Sequence, residues 1–324
     1  MVDSSTPYDS DIDDLEQRLV RLLQLDGRIP LSRAAHALDV SERTVARRYQ
    51  RLRTLGLRVV GRPVPSRLGL TRWLLCLRCA PGTADATARA LARRPDISWV
   101  TVDSGSTEIY GALSTRTAAD RDALLLRKLP RTPHVVSASA HCMMRTFIGD
   151  TTTWHATRFG AAGPSPTEDP GSRRAPLPLD ATDRTLFAEL ARDGRATLPE
   201  LATATGRASS SVQRRLRRLC AEGALAFAVD FAPHLLGYHM NTHLWLRVAP
   251  AHLRTVGEAL AMHPEIPFAA AVTGTANLVA SGIFQNPYDL YEFLDRRVGP
   301  LPGILDVRTT APLQEVKRIA PAHL

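Results

Sequence analysis

Cysteine is scarce. The 324-residue chain has four, Cys76, Cys79, Cys142 and Cys220, too few for a disulfide-stapled scaffold. Cys76-Leu-Arg-Cys79 has a metal-like spacing but no second pair. It falls in a strand-like run, where residues three apart point to opposite faces, so a metal or redox role is set aside. Long apolar runs are also missing. The longest, FAAAVTGTANLVASGIF at 268–284, is broken by Thr, Gly and Asn and reads as two strands around a turn, not a membrane span. The first residues are polar and acidic and lack a signal-peptide core, so a cytoplasmic chain is expected. No phosphate loop, zinc spacing or identifiable Ser-His-Asp set occurs, and no cofactor is expected. His239 and His243 are spaced like a helical metal pair. They sit at a strand entrance, where four residues span roughly 13 Å, so no metal site is expected.

What the chain does have is positive charge. The formal net charge is +9 and the pI about 10.0, with 44% hydrophobic and 23% charged residues. Cores of ordinary size are affordable, and the length suggests two or more domains. The cationic excess is carried by arginine, which suits phosphate and base-edge contacts.

The sequence also repeats itself. At an offset of 167, LDGRIPLSRAAHAL (25–38) lies on RDGRATLPELATAT (192–205), and VARRYQRLRTLG (45–56) lies on VQRRLRRLCAEG (212–223). The offset then grows to 169, aligning LRCAP (77–81) with LRVAP (246–250) and Gly105 with Gly274. Half the chain is too long for a solenoid unit. Between the copies, GAAGPSPTEDPGSRRAPLPLD (160–180) has linker composition, and a flexible stretch of that size spans on the order of 25 Å. The domains expected are 11–60, 70–148, a linker at 149–179, 180–227 and 239–318.

Each copy opens with three helical segments. Leu15, Leu19, Leu22 and Leu23 have helical spacing, and Gly27 is expected to take the C-terminal cap conformation. Asp39-Val40 forms a turn, and Ser41 is placed to cap a third helix whose core stripe is Val45, Tyr49 and Leu52. In the second copy Asp180 caps the first helix, Thr197 and Glu200 have capping-box spacing, Gly206 supplies the turn, and Ser209 or a neighbour caps the third. This is a helix-turn-helix, whose third helix enters the major groove N-terminus first. The residues expected to contact DNA are Ser41, Arg43, Thr44, Arg47, Arg48 and Arg51, then Ser209, Ser210, Ser211, Gln213, Arg214, Arg215 and Arg218. A solvated, arginine-rich face is the bland explanation for one such helix. Two at matching positions after matching turns weigh against it.

The second part of each copy alternates with period two. The order is β-α-β-β-α-β, a ferredoxin-like split unit. The fold class is therefore α+β: two winged-type, three-helix helix-turn-helix domains alternating with two ferredoxin-like βαββαβ domains. Leu75, Leu77 and Cys79, like Leu244, Leu246 and Val248, take the helix-covered face. Leu74, Cys76 and Trp245 lie on the opposite face, and a bare apolar face calls for another sheet. The halves pair sheet to sheet within one chain, or the chain self-associates through its sheet domains.

The D-G-R helix-turn-helix, the Leu68-Gly69 and Leu236-Gly237 pairs, the βαββαβ unit and its Gly-x-x-acid turn together resemble the Lrp/AsnC transcriptional regulators. The resemblance covers nearly all of the chain outside the linker and the ends. It implies double-stranded DNA as partner and a sheet domain that senses a small molecule, such as an amino acid, and forms oligomers. Members usually carry one module per chain, so two modules imply a fused pseudo-dimer, both of whose heads one chain supplies. The family's effector turn, Gly-Asp-x-Asp, corresponds to Gly105, Thr107 and Glu108 in copy one and to Gly274, Ala276 and Asn277 in copy two. Its acidic positions are changed in both. Siroheme decarboxylases share the plan, which makes a tetrapyrrole enzyme using His141, Arg145 and His243 an alternative. A sequence-indifferent architectural DNA-binding protein is another.

Overall fold

The structure is a computed structural model that describes residues 12–103, 105–149 and 175–318. Most of the expected linker and the residues before Ile12 lie outside that range. In the first copy, helix α1 (Asp14–Leu25) begins with a capping box: Asp13 accepts from the Glu16 N–H at 2.9 Å, and Glu16 accepts from the Asp13 N–H. Helix α2 (Leu31–Leu38) ends on Asp39 at φ +56°, and α3 (Glu42–Thr54) is capped by Ser41. Strand β1 (Arg58–Pro63) leads to the sheet unit: β2 (Thr71–Cys79), α4 (Ala84–Ala92), β3 (Ile97–Asp103), β4 (Glu108–Thr115), α5 (Ala118–Asp122) and β5 (Val135–Gly149).

The second copy runs α6 (Ala181–Arg192), α7 (Leu198–Thr205), α8 (Ser209–Ala221), β6 (Leu225–Asp230), β7 (Met240–Val248), α9 (Leu253–Ala261), β8 (Phe268–Val272), β9 (Leu278–Phe284), α10 (Pro287–Phe293), β10 (Ile304–Thr310) and β11 (Pro312–Lys317). Asp180 caps α6 through the same box, and Thr197 and Glu200 cap α7. The expected serine cap of α8 is displaced. The helix begins at Ser209, so Ala208 occupies the cap position and no side chain caps it.

The two copies are interlocked. The strand after each third helix does not fold back as a wing on its own head. β1 and β6 instead pair antiparallel across the copies, from Arg58↔Asp230 to Pro63↔Leu225. Val229, Phe231 and Leu235 of copy two then complete the core of head one, and Leu68 of copy one enters the core of head two. The same exchange recurs below. β5 pairs with β2 through its first half and with β8 through its second. β11 leaves its own sheet and pairs with β3. The final strand of copy two is divided just before Pro312, which has no N–H to give to a ladder. Within the described residues the pairing is therefore intrachain.

Helices cover the outer face of each sheet, and the inner faces meet. Leu74, Tyr110, Trp245, Ala270, Val272 and Val279 form a shared inter-sheet core, with Cys76 and Trp99 packed on it. Cys79 faces the helices instead. Burial pushes the Cys76 thiol up to about 12, and its low thiolate population makes it unreactive. One flank of the inter-sheet core is polar. Asp103, fully buried, accepts hydroxyl hydrogen bonds from Thr101 at 2.8 Å and Thr310 at 2.7 Å. His243 lies edge-on to Trp99, with ring centroids 5.0 Å apart and Nε2 3.9 Å from Asp103.

The glycine of the D-G-R motif does not have the role expected of it. Gly27 is not in the left-handed region; the helix closes on Asp26, which is extended. The glycines are needed for close approach. A Cβ on Gly194 would stand 2.9 Å from the backbone of Val59 and Val60, and the Gly194 N–H donates to the Val59 carbonyl at 2.8 Å. Gly206, by contrast, is left-handed with open space around it. Gly206→Ala should therefore cost about 1–2 kcal/mol. Gly194→Ala should cost more, about 3 kcal/mol, because backbone must move. Urea denaturation of both variants checks the order.

A pH dependence follows from His243. Burial pushes its imidazole pKa below the ordinary value, with Asp103 pulling the other way. The unfolded chain takes up a proton near pH 6.5 that the folded chain resists. The stability His243 confers is thus complete above about pH 6.5 and declines below it, by up to about 1.4 kcal/mol per pH unit. His243→Gln should flatten the difference between urea midpoints measured at pH 7.5 and 5.5.

Candidate nucleic-acid interface and effector cleft

The third helices divide their arginines into two sets. Val45 and Leu52, and Val212, Leu216 and Leu219, are buried against their own heads. Tyr49, expected in the core stripe, is only half-buried, and its ring lies under the Arg195 guanidinium at 5.3 Å. On the opposite side Arg43, Arg47, Gln213 and Arg214 are exposed, as are Ser41, Ser209 and Ser210, while Thr44 and Ser211 are half-buried. The Ser41 hydroxyl is committed to the cap, accepting from the Thr44 N–H at 3.1 Å. Arg217 and Arg207 add exposed charge beside α8. Arg207 precedes the helix and so lies outside the periodic pattern that marks a helix face.

Four residues expected to contact DNA are used internally instead. Arg48 pairs with Asp13 at 2.8 Å and Glu16 at 3.2 Å, and Arg51 also pairs with Glu16. Arg215 pairs with Asp180 at 2.7 Å and Asp183 at 3.0 Å, and Arg218 with Asp183 at 2.7 Å. Glu16 and Asp183 are the third residues of the two capping boxes and are almost wholly buried. A buried carboxylate needs charged partners, so these arginines fasten the third helix to the first. The repeat carried this signal: both acids and both arginines recur at the offset of 167.

A second arrangement missed in the sequence joins the heads. The Arg28 guanidinium donates to the carbonyls of Gly194 at 2.6 Å and Ala196 at 2.8 Å. Arg195 answers with bonds to Gly27 and Ile29, both 2.8 Å. Burial, then the charge of Arg195, lower the Arg28 pKa. The D-G-R motif is therefore a reciprocal clasp. Each arginine satisfies two carbonyls of the other copy's first helix turn, and together they hold the two third helices in one fixed relation.

The two effector-type turns sit at the other end of the sheets. In copy one Gly105 and Ser106 have φ of +92° and +53°, and Thr107 receives the Cys79 N–H on its carbonyl at 2.8 Å. Glu108 pairs with Arg308 at 2.6 Å and accepts from the Tyr110 hydroxyl at 2.7 Å. In copy two Asn277 is consumed by β7, accepting from the Val248 N–H and donating to the Val248 carbonyl, both at 2.8 Å. Gly274, at φ +117°, lies under the His141 ring, where a side chain has no room. Between the turns, Tyr110, His141, Trp245, Arg247, Asp306 and Arg308 line a cleft of about 330 Å³ that Ala276 also touches. It offers two guanidinium groups and a carboxylate, the groups that hold a zwitterion.

The three residues considered for tetrapyrrole carboxylates are not brought together. His141 lines this cleft, and His243 is buried between the sheets. Arg145 pairs with Glu258 at 3.2 Å and lies over Phe147. Among the described residues no group of His, Cys, Asp and Glu is placed to hold a metal ion, and no helix is long and apolar enough to cross a membrane.

Comparison with known proteins agrees with the duplication. The AsnC-type helix-turn-helix domain matches residues 12–53 and again 179–219, and the Lrp/AsnC ligand binding domain matches residues 243–321. The chain is 32% identical over 142 residues to the HTH-type transcriptional regulator FL11 of Pyrococcus horikoshii, covering 44% of this chain and 93% of that one. It is 48% identical over 64 residues to the HTH-type transcriptional regulator LrpA of Mycobacterium tuberculosis, 19% of this chain and 43% of that one. Over almost its whole length it has the fold of the siroheme decarboxylase NirDL, with a TM-score of 0.63, 13% identity, and coverage of 96% of this chain and 94% of that one.

The paired acids test the division of the arginines. Arg218→Ala leaves Asp183 buried with one guanidinium partner in place of two and should cost on the order of 3 kcal/mol. Arg214→Ala, at an exposed position, should stay within about 0.5 kcal/mol. Thermal denaturation of the two variants separates them.

Proposed function

The chain belongs to the Lrp/AsnC family of transcriptional regulators, and from that premise we propose that it is a non-enzymatic, cytoplasmic regulator that reads double-stranded DNA with both heads at once. The observation that carries this reading is the clasp between Arg28 and Arg195, which holds two exposed basic helices together in one chain. Arg43, Thr44 and Arg47 read one half-site, and Ser210, Ser211, Gln213 and Arg214 the other. The helices differ in sequence, so the operator consists of two unlike half-sites. Arg48, Arg51, Arg215 and Arg218 support the helices and do not read bases.

The cleft between the turns is the proposed effector site. Arg247 and Arg308 suit a carboxylate and Asp306 an amine, which fits an amino acid or a similar zwitterion. With Asn277 committed to β7, the carboxylate at the site comes from β10, not from the turn. Self-association beyond the fused pair falls to the outer, helix-covered surfaces of the sheet domains. The likeness to a siroheme decarboxylase is one of fold, and the separate locations of His141, Arg145 and His243 speak against the enzyme reading. Absorbance titration with a tetrapyrrole tests it directly.

The main test is binding to the DNA upstream of the protein's own gene, with a scrambled duplex as competitor. Selective binding is expected. Arg47→Ala and Arg214→Ala should each weaken it about tenfold, the loss of one base contact. Equal and weak binding to both duplexes, with strong salt dependence, would favour the architectural alternative.

A further inference from the structure

One arm of the turn-side cleft is already taken. Arg308 Nη2 donates to Glu108 Oε2 at 2.6 Å and to the Tyr110 hydroxyl oxygen at 3.4 Å, and that hydroxyl donates to the same carboxylate oxygen at 2.7 Å. Glu108 opens β4 after the turn of copy one, and Arg308 lies on β10 of copy two. The bridge therefore crosses between the copies.

A guanidinium grips a carboxylate most strongly with two parallel N–H groups. Its two forks are Nε with Nη2 and Nη1 with Nη2, so both need Nη2. While Glu108 and Tyr110 hold that nitrogen, Arg308 has single bonds to give from Nε and Nη1 but no paired grip. The other charged groups of the lining are Arg247 and Asp306. They stand opposite one another on β7 and β10, and neither has an ion pair among the described residues. One arginine of the cleft is thus open, and the other is engaged by an internal carboxylate.

The repeat shows that this engagement occurs once per chain. At the offset of 169, Glu108, Tyr110 and Arg308 correspond to Asn277, Val279 and Ser139. The counterpart place has no charge, and Asn277 is bound to the Val248 backbone. The bridge is also lightly held. Arg308 is 56% exposed and Glu108 27%. An ion pair so open to solvent contributes up to about 1 kcal/mol, which is about fivefold in the affinity of whatever displaces it.

We propose that Glu108 is a built-in competitor for the effector's carboxylate: it holds Arg308 Nη2 in the ligand-free chain, and the ligand takes that nitrogen from it to complete the paired grip. The proposal rests on the effector reading of the cleft and deepens it. Binding and release of the bridge between the copies become one event. Glu108 keeps the Tyr110 hydroxyl and its access to solvent, so its release leaves no buried charge unpaired.

The test is calorimetric titration of the full chain with each of the twenty standard amino acids, the tightest binder being carried forward with its carboxamide. Glu108→Gln keeps an acceptor for Tyr110 and removes the charge. It should tighten the amino acid about fivefold and leave the carboxamide, which cannot use the fork, no tighter. Arg308→Gln should weaken the amino acid at least tenfold, and in that background Glu108→Gln should change the affinity by less than about 1.5-fold. Should Glu108→Gln not fold, Glu108→Ala carries the same comparison. Binding that Glu108→Gln leaves unchanged or weakens, as a contact with the ligand's amine would require, would overturn the proposal and leave the effector reading standing. So would a tightening that persists in the Arg308→Gln background. No binding of any amino acid at millimolar concentration, to the parent or to Glu108→Gln, would remove the effector reading and the proposal with it.

Discussion

Neither copy can complete its own core, and the architecture depends on that constraint. Head one is closed by Val229, Phe231 and Leu235 from copy two, and head two by Leu68 from copy one. The ribbon that makes this exchange crosses above Gly194, where backbone meets backbone at a distance that admits no Cβ. Once the ribbon is in place, Arg28 and Arg195 lie within reach of each other's helix turns and satisfy carbonyls that would otherwise be left buried and unpaired. The strands β5 and β11 impose the same reciprocity on the sheets. Separating the halves would therefore expose apolar core and orphan backbone groups together, and the pair behaves as one folding unit.

This interlocking decides what each arginine is for. Eight of the eleven arginines on the third helices and in the D-G-R motifs show this, and their sequence context is nearly uniform. Their roles separate only in three dimensions. Arg48, Arg51, Arg215 and Arg218 face a buried acid on the first helix. Arg28 and Arg195 face the other copy. Arg47 and Arg214 face solvent, the two positions to which the proposed DNA contact is assigned. For that proposed contact the fixed groups behind the surface matter: a guanidinium on a helix held by two ion pairs loses less freedom on binding than one on a loose helix.

Much of this was legible in the sequence, for identifiable reasons. The period of the apolar residues marked the helices and strands, and the two-copy alignment turned weak local motifs into one strong signal. The helix-covered and inner sheet faces were separable because side chains alternate along a strand: Leu75 and Leu77 one way, Leu74 and Cys76 the other. What was not legible depends on distant chain. Gly27 reads as a helix stop until the ribbon that passes over it is known. The wing expected after each third helix is a strand paired with the other copy, and no local pattern names a strand's partner. Asn277 reads as a weakened effector residue, yet its amide brackets the Val248 backbone. The split of the last strand at Pro312 was visible as a proline, but its crossing to the other sheet was not.

Fusion has a physical consequence for the interface that two identical chains cannot have. In a dimer of identical chains, one residue must serve both symmetry-related places. Here Asp103 and Thr101 correspond to Val272 and Ala270, and His243 corresponds to Leu74. The buried hydroxyl–carboxylate cluster therefore occurs once, and its counterpart is apolar packing. Imposing it twice would bury a second carboxylate and a second imidazole, each with a desolvation cost that needs its own partners. The same freedom sets the contact of Glu108, Tyr110 and Arg308 at one place about the pseudo-axis, opposite Asn277, Val279 and Ser139. Covalent linkage holds the halves at one-to-one stoichiometry whatever their sequences, so the interface is released from self-complementarity. The two heads and the two effector-type turns have each diverged while the interlocking exchanges, which both copies need, have stayed reciprocal.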